Sequence, residues 1–173
     1  MMICKLKTIN KIFSKLTVKA LPMIEGEPNY EGINEIMQLL YSNAGILLKP
    51  EVRGHHGHTS IIMKPTLYTT LLTMVWANPP DLGVYPKISR NATAAHRVQL
   101  QLQHNEEHRI YKNTGIIYEA LKNQFIYTVK YTYLKELNNK YTGFLRVIFF
   151  NILEHLIDRY SKIVTMDLKA NNQ

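Results

Sequence analysis

The sequence predicts a mostly all-α protein, a set of helices interrupted by an irregular Gly/Pro-rich middle segment. Three observations lead there. Residues 145–160 carry an unbroken apolar stripe at helical spacing, residues 117–137 repeat that spacing, and residues 1–21 set a lysine stripe beside an apolar one. The chain has 173 residues, 46% hydrophobic and 20% charged, so it is long and apolar enough for one domain with a core. No run reaches the roughly 18 apolar residues that a membrane span requires.

The first element is a basic leader over residues 1–23. Lys5, Lys7, Lys11, Lys15 and Lys19 supply five charges of the net +8, and no acid occurs before residue 22. Leu6, Ile9, Phe13, Leu16 and Ala20 follow at helical spacing. Such a helix suits an anionic membrane surface or RNA, an organelle-targeting role, or docking on the domain as a terminal helix.

The helical domain spans residues 24–170. Pro28 disfavours helix at Glu27, and a helix then buries Ile33, Ile36, Met37, Leu39, Leu40 and Tyr41 until Asn43-Ala44-Gly45 ends it. Glycines and prolines punctuate residues 46–92, where 60–63 reads as a short strand or extended stretch. Thr66 is the expected cap of a helix through Leu67, Leu71, Leu72 and Val75 to Trp76, which Pro79-Pro80 stops. Residues 93–113 form a largely solvated helix, Thr114-Gly115 marks a break or kink, and Ile117, Leu121, Phe125, Val129 and Tyr133 continue to Leu137. A turn at 138–143 leads into the clearest helix of the chain. Its stripe is Leu145, Ile148, Phe149, Ile152, Leu153, Leu156, Ile157 and Tyr160. Eight such side chains at about 1.5–3 kcal/mol each give a driving force on the order of ten kcal/mol. The stripe must therefore meet a partner helix or another subunit, and it is the expected self-association face. Thr165 caps a further helix that Gln173 cuts short, which suggests a truncated domain.

Candidate chemistry is sparse. Gly54-His55-His56-Gly57-His58 holds imidazoles able to bind zinc, copper or nickel, but the spacing matches no standard ligand set, and a glycine-flanked turn is favoured. His104 and His108 project from one helix face near Glu107, where a polar solvated face is favoured over a metal pair. The single Cys4 permits neither an intrachain disulfide nor a cysteine zinc cage, so the chain reads as cytoplasmic, where the acceptor-like Asn91-Ala92-Thr93 has no role. No acid, base and nucleophile converge in the sequence. It predicts a non-enzyme with no metal, cofactor or small-molecule substrate. Tyr111, Tyr118, Tyr127, Tyr131, Tyr133 and Tyr141 lie among Lys112, Lys122, Lys130, Lys135 and Lys140. Rings interleaved with cations suit stacking on single-stranded bases, while a helix packing boundary is the favoured reading.

Several strings, taken in order, resemble gag-like proteins encoded by copia-type retrotransposons. They begin with Ile24-Glu25-Gly26-Glu27-Pro28-Asn29-Tyr30-Glu31, then Asn43-Ala44, then the 54–58 block with Ile61-Ile62-Met63, Pro65 and Tyr68. Thr93-Ala94 and the helix holding His104, Glu107 and Arg109 follow, with Tyr133-Leu134 and Leu137, and Asn139 with Thr142-Gly143. Ile152-Leu153, His155-Leu156 and Tyr160, then Val164-Thr165 and Leu168, complete the order. The resemblance implies a helical, capsid-like fold that self-assembles and packages RNA. It implies a structural protein, with homo-oligomers and RNA as partners. A family knuckle of Cys-x2-Cys-x4-His-x4-Cys has no counterpart in a chain with one cysteine, and residues 1–21 do not match a family leader. Two rival readings stand beside it: a basic membrane- or nucleic-acid-binding adaptor working through residues 1–21, and a histidine-dependent metalloprotein.

Overall fold

The computed structural model describes residues 19–47, 58–72, 83, 84, 88 and 91–160. Helix accounts for 67% of them, and the only β-bridge among them joins Asn139 and Gly143, so the protein is mostly α-helical. The described helices are α1 (Tyr30–Ile46), α2 (Pro65–Leu72), α3 (Ala94–Thr128), α4 (Tyr131–Leu134) and α5 (Phe149–Tyr160), with a 3-10 turn at Thr59–Ile61.

Helix α1 starts where its N-cap provides a side-chain acceptor. Asn29 is extended, and its Oδ1 accepts the Gly32 N–H at 2.8 Å. Its inward face is Ile33, Ile36, Met37, Leu40 and Ala44, with Leu39 and Tyr41 only half-buried. Asn43-Ala44-Gly45 does not end this helix, which runs on to Ile46. Asn43 is fully buried, and its amide is satisfied at a distance: Oδ1 accepts the Lys19 N–H at 2.9 Å and Nδ2 donates to the Lys19 carbonyl at 2.8 Å. A polar residue read as a helix stop is thus an inward-facing clasp.

Residues 60–63 are not a strand. Local bonds wind them into the 3-10 turn, with Ile61 N–H donating to His58 and Ile62 and Met63 N–H to Thr59. A short run of buried Ile61, Ile62 and Met63 fills the core equally well in this form. Pro65, rather than a Thr66 cap, opens α2, where a missing N–H costs nothing. Tyr68 is its buried residue, whereas Leu67 and Leu71 are exposed. Val75 and Trp76 lie outside the described residues.

Helix α3 is capped by Thr93, whose Oγ1 accepts the His96 N–H at 3.2 Å. It passes straight through Thr114-Gly115. The Thr114 hydroxyl donates to the Ile110 carbonyl at 2.9 Å, which uses its polar group without leaving the helix. At 1.5 Å per residue its 35 residues span about 50 Å. From Ala94 to Ile116 no residue is buried, as a solvated segment predicts; Ile117, Ala120, Leu121, Lys122, Phe125 and Thr128 then enter the core. The expected continuation to Leu137 fails at Val129, which is extended. Thr128 donates its hydroxyl to Phe125 at 2.6 Å and gives its carbonyl to the Ile24 N–H at 2.8 Å, so the helix ladder ends there.

Helix α5 begins at Phe149, later than the stripe suggests, because 144–147 is a turned segment with Val147 N–H bonded to the Phe144 carbonyl. Helix α1 packs on both α3 and α5, and α4 packs on α5. Phe125 and Phe149 meet edge to face at 5.2 Å at the centre. The body also takes in residues ahead of the expected boundary at 24, since Leu21 packs against the core and Lys19 is held by its backbone.

Candidate functional site

Most of the stripe expected to drive self-association is occupied within the chain. Phe149, Ile152 and Leu156 are fully buried, and Leu153, Ile157 and Tyr160 pack against the same core. The partner helices are α1, α3 and α4. Only Leu145 and Ile148 remain exposed, ahead of the helix. As a unit, residues 145–160 are not a free face.

Polar contacts from α3 hold the start of α5 in place. Tyr118 Oη on α3 accepts the Phe149 N–H at 2.9 Å, so one helix caps another. Burial, the largest effect, raises the Tyr118 pKa above 10.0, the Phe149 N–H lowers it, and the nearby Glu119 charge raises it. Lys122 is almost completely buried beneath the turn before α5. Its ammonium donates to Glu119 at 2.9 Å, to the Val147 carbonyl at 3.3 Å and to the Phe144 carbonyl at 3.4 Å, and lies 5.6 Å from the Tyr118 ring centroid.

Of the basic leader, Lys5, Lys7, Lys11 and Lys15 lie outside the described residues. Lys19 is exposed, and its carbonyl also accepts from Gln124 Nε2 at 3.0 Å. Asn43 and Gln124 thus fix the Lys19 backbone at the junction of α1 and α3. Sequence reading missed this clasp, since nothing local marks two amides distant in sequence as partners.

The histidines separate in the same way. His55 and His56 lie outside the described residues. His58 is buried at the C-terminal end of α1, where its N–H donates to the Ala44 carbonyl at 2.7 Å and Nδ1 sits 3.2 Å from the Leu47 carbonyl. That contact requires the proton on Nδ1, so this nitrogen serves the fold. His104 and His108 stack with ring planes 7° apart and centroids at 6.1 Å. Among the described residues, no group of three or more His, Cys, Asp or Glu comes together.

Two surfaces remain. The first is a mainly apolar groove along the exposed half of α3, lined by Ala94, Ala95, Val98, Gln99, Leu102 and Gln103, with Val98 57% and Leu102 65% exposed. Glu106 and Arg109 pair further along it, and the Arg109 hydrogen bond holds the Glu106 carboxyl below its usual range. The second lies where α3 ends. Tyr118 and Tyr133 pack into the body, but Tyr127, Tyr131 and Tyr141 stand exposed, with Lys130, Lys135, Lys140 and Arg146 exposed around them.

No protein family, curated protein or solved structure matches the chain. Among the described residues, no helix is long and apolar enough to cross a membrane.

Proposed function

We propose that the chain is a structural, non-catalytic protein of the gag-like class encoded by copia-type retrotransposons. In this reading it self-associates and holds RNA in the cytoplasm. The observation that carries the reading is the exposed half of α3. Over about 15 Å of helix, Ala94, Ala95, Val98 and Leu102 form an apolar strip that no described element buries. Val98 and Leu102, one helical turn apart, present the apolar contact that the 145–160 stripe has spent on its own core.

A second copy running antiparallel is the occupant that fits. Centred on Leu102, such a pair brings the exposed Leu102 side chains of the two copies together at the two-fold axis. The same helix carries part of the ordered string set, at Thr93-Ala94, His104, Glu107 and Arg109.

Disulfide trapping tests this register. In a Cys4→Ser background, Leu102→Cys is expected to give a cross-linked dimer on mild oxidation, because the two-fold axis puts the residue opposite itself. Ala94→Cys, remote from the axis, is expected to give none. Equal cross-linking at the two positions, or none at Leu102, would remove this dimer.

A further inference from the structure

We infer that the surface where α3 ends is a stacking platform for single-stranded nucleic acid. This deepens the reading above by giving its RNA partner a place, on residues the α3 groove does not use.

Tyr127, Tyr131 and Tyr141 are 76%, 59% and 87% exposed, far more than a packing boundary leaves. They come from three elements: the last turn of α3, the first residue of α4, and the tight turn that follows. Hydrogen bonds tie the second and third together. Asn138 Nδ2 donates to the Tyr131 hydroxyl at 2.8 Å. In the same turn, Asn139 Oδ1 accepts the N–H groups of Tyr141 at 2.9 Å and Thr142 at 3.1 Å, and the Asn139–Gly143 bridge closes the loop. Gly143 supports the loop with φ at +58°. Tyr141 is therefore presented by a built turn rather than by a loose loop.

Along residues 120–148 the charge is of one sign but for Glu136. Lys130, Lys135, Lys140 and Arg146 are exposed, and the one acid between Ala120 and Ile148, Glu136, is paired with Arg159 of α5. Lys140 Nζ lies 5.7 Å from the Tyr141 ring centroid, which puts a cation beside a stacking face. Exposed rings among exposed cations match a chain whose bases are unstacked and whose backbone is anionic. A duplex keeps its base faces covered and offers the rings nothing.

The test measures binding of a fluorescein-labelled 12-nucleotide oligouridylate by anisotropy, with the full-length protein. Tyr127→Leu/Tyr141→Leu keeps apolar bulk but removes two rings, and both sites are too exposed to support the core. Its affinity is expected to fall about 30-fold or more, with an unchanged melting temperature. Tyr127→Phe/Tyr141→Phe is expected to stay within about threefold of the parent, because the π-face is retained. Changing Lys130, Lys135 and Lys140 to Gln is expected to flatten the plot of log affinity against log salt by about two units, at roughly 0.7 per lost phosphate contact. Leu variants that bind like the parent would overturn the platform, as would a duplex bound as tightly as the single strand. Loss of binding to phosphatidylserine vesicles, with oligouridylate binding intact, would assign the surface to a membrane and also overturn it. Failure here is separable from failure of the self-association reading: Val98→Glu/Leu102→Glu disrupts the α3 groove and leaves the platform residues untouched.

Discussion

Lys122 is the residue on which the α3–α5 junction depends most. A buried ammonium is tolerable only because Glu119 and two carbonyls of the 144–147 turn meet it. Lys122→Ala removes the donor to the Val147 carbonyl and to Glu119, leaves the Phe144 carbonyl with the Val147 N–H alone, and opens a gap. The expected loss is about 2–4 kcal/mol, read by urea denaturation; a loss under about 0.5 kcal/mol would mean the turn is held by something else. Tyr118 tests the same junction more gently. Tyr118→Phe removes the acceptor for the Phe149 N–H at a cost of about 1 kcal/mol.

The Tyr118 phenol also makes stability depend on pH. Burial raises its folded pKa, and that of Tyr41, above 10.0, so above pH 10 the unfolded chain releases these protons first. The native state then binds more protons than the unfolded state, and stability falls as pH rises. The contribution is whole below pH 10 and is lost as pH climbs toward the raised folded values. Tyr118→Phe is expected to shallow the alkaline slope of melting temperature; a slope equal to that of the parent would show that the phenol is not the cause.

At the scale of elements, helix α3 shows what local pattern does and does not reveal. Its two halves were legible: sparse apolar points predicted the solvated half, and regular spacing from Ile117 predicted the buried one. Its continuity was not, because Thr114-Gly115 has low helix propensity and tertiary packing overrides such weak preferences. Nothing lies within 4 Å of a Cβ built on Gly115. Gly115→Ala is therefore expected to stabilise the protein by about 0.5–1 kcal/mol, raising the thermal midpoint. A lowered midpoint would indicate that the helix bends there in solution. The opposite error occurred at Val129, where spacing promised more helix and the chain instead gave the Thr128 carbonyl to Ile24. That bond joins residues remote in sequence, which no periodicity registers.

For the whole molecule, the all-α architecture followed from periodicity, and so did the core positions Ile33, Ile36, Leu40, Leu121, Phe125, Phe149, Ile152 and Leu156. Which apolar face stays open did not. Amphipathicity states that a stripe must be covered but is silent on what covers it, so it leaves 145–160 open to a partner helix or another subunit, and α1, α3 and α4 are what cover most of it. The less conspicuous pair Val98 and Leu102 is left exposed. The tyrosines divided for the same reason, since sequence spacing does not separate Tyr118, which caps α5, from Tyr141, which faces solvent.

Assembly through the exposed half of α3 is tested by sedimentation velocity over a concentration series, with the parent beside Val98→Glu/Leu102→Glu. The parent's sedimentation coefficient is expected to rise with concentration, while the variant stays monomeric with the parent's helical circular dichroism. A parent that is monomeric throughout, or a variant that assembles as the parent does, would contradict it.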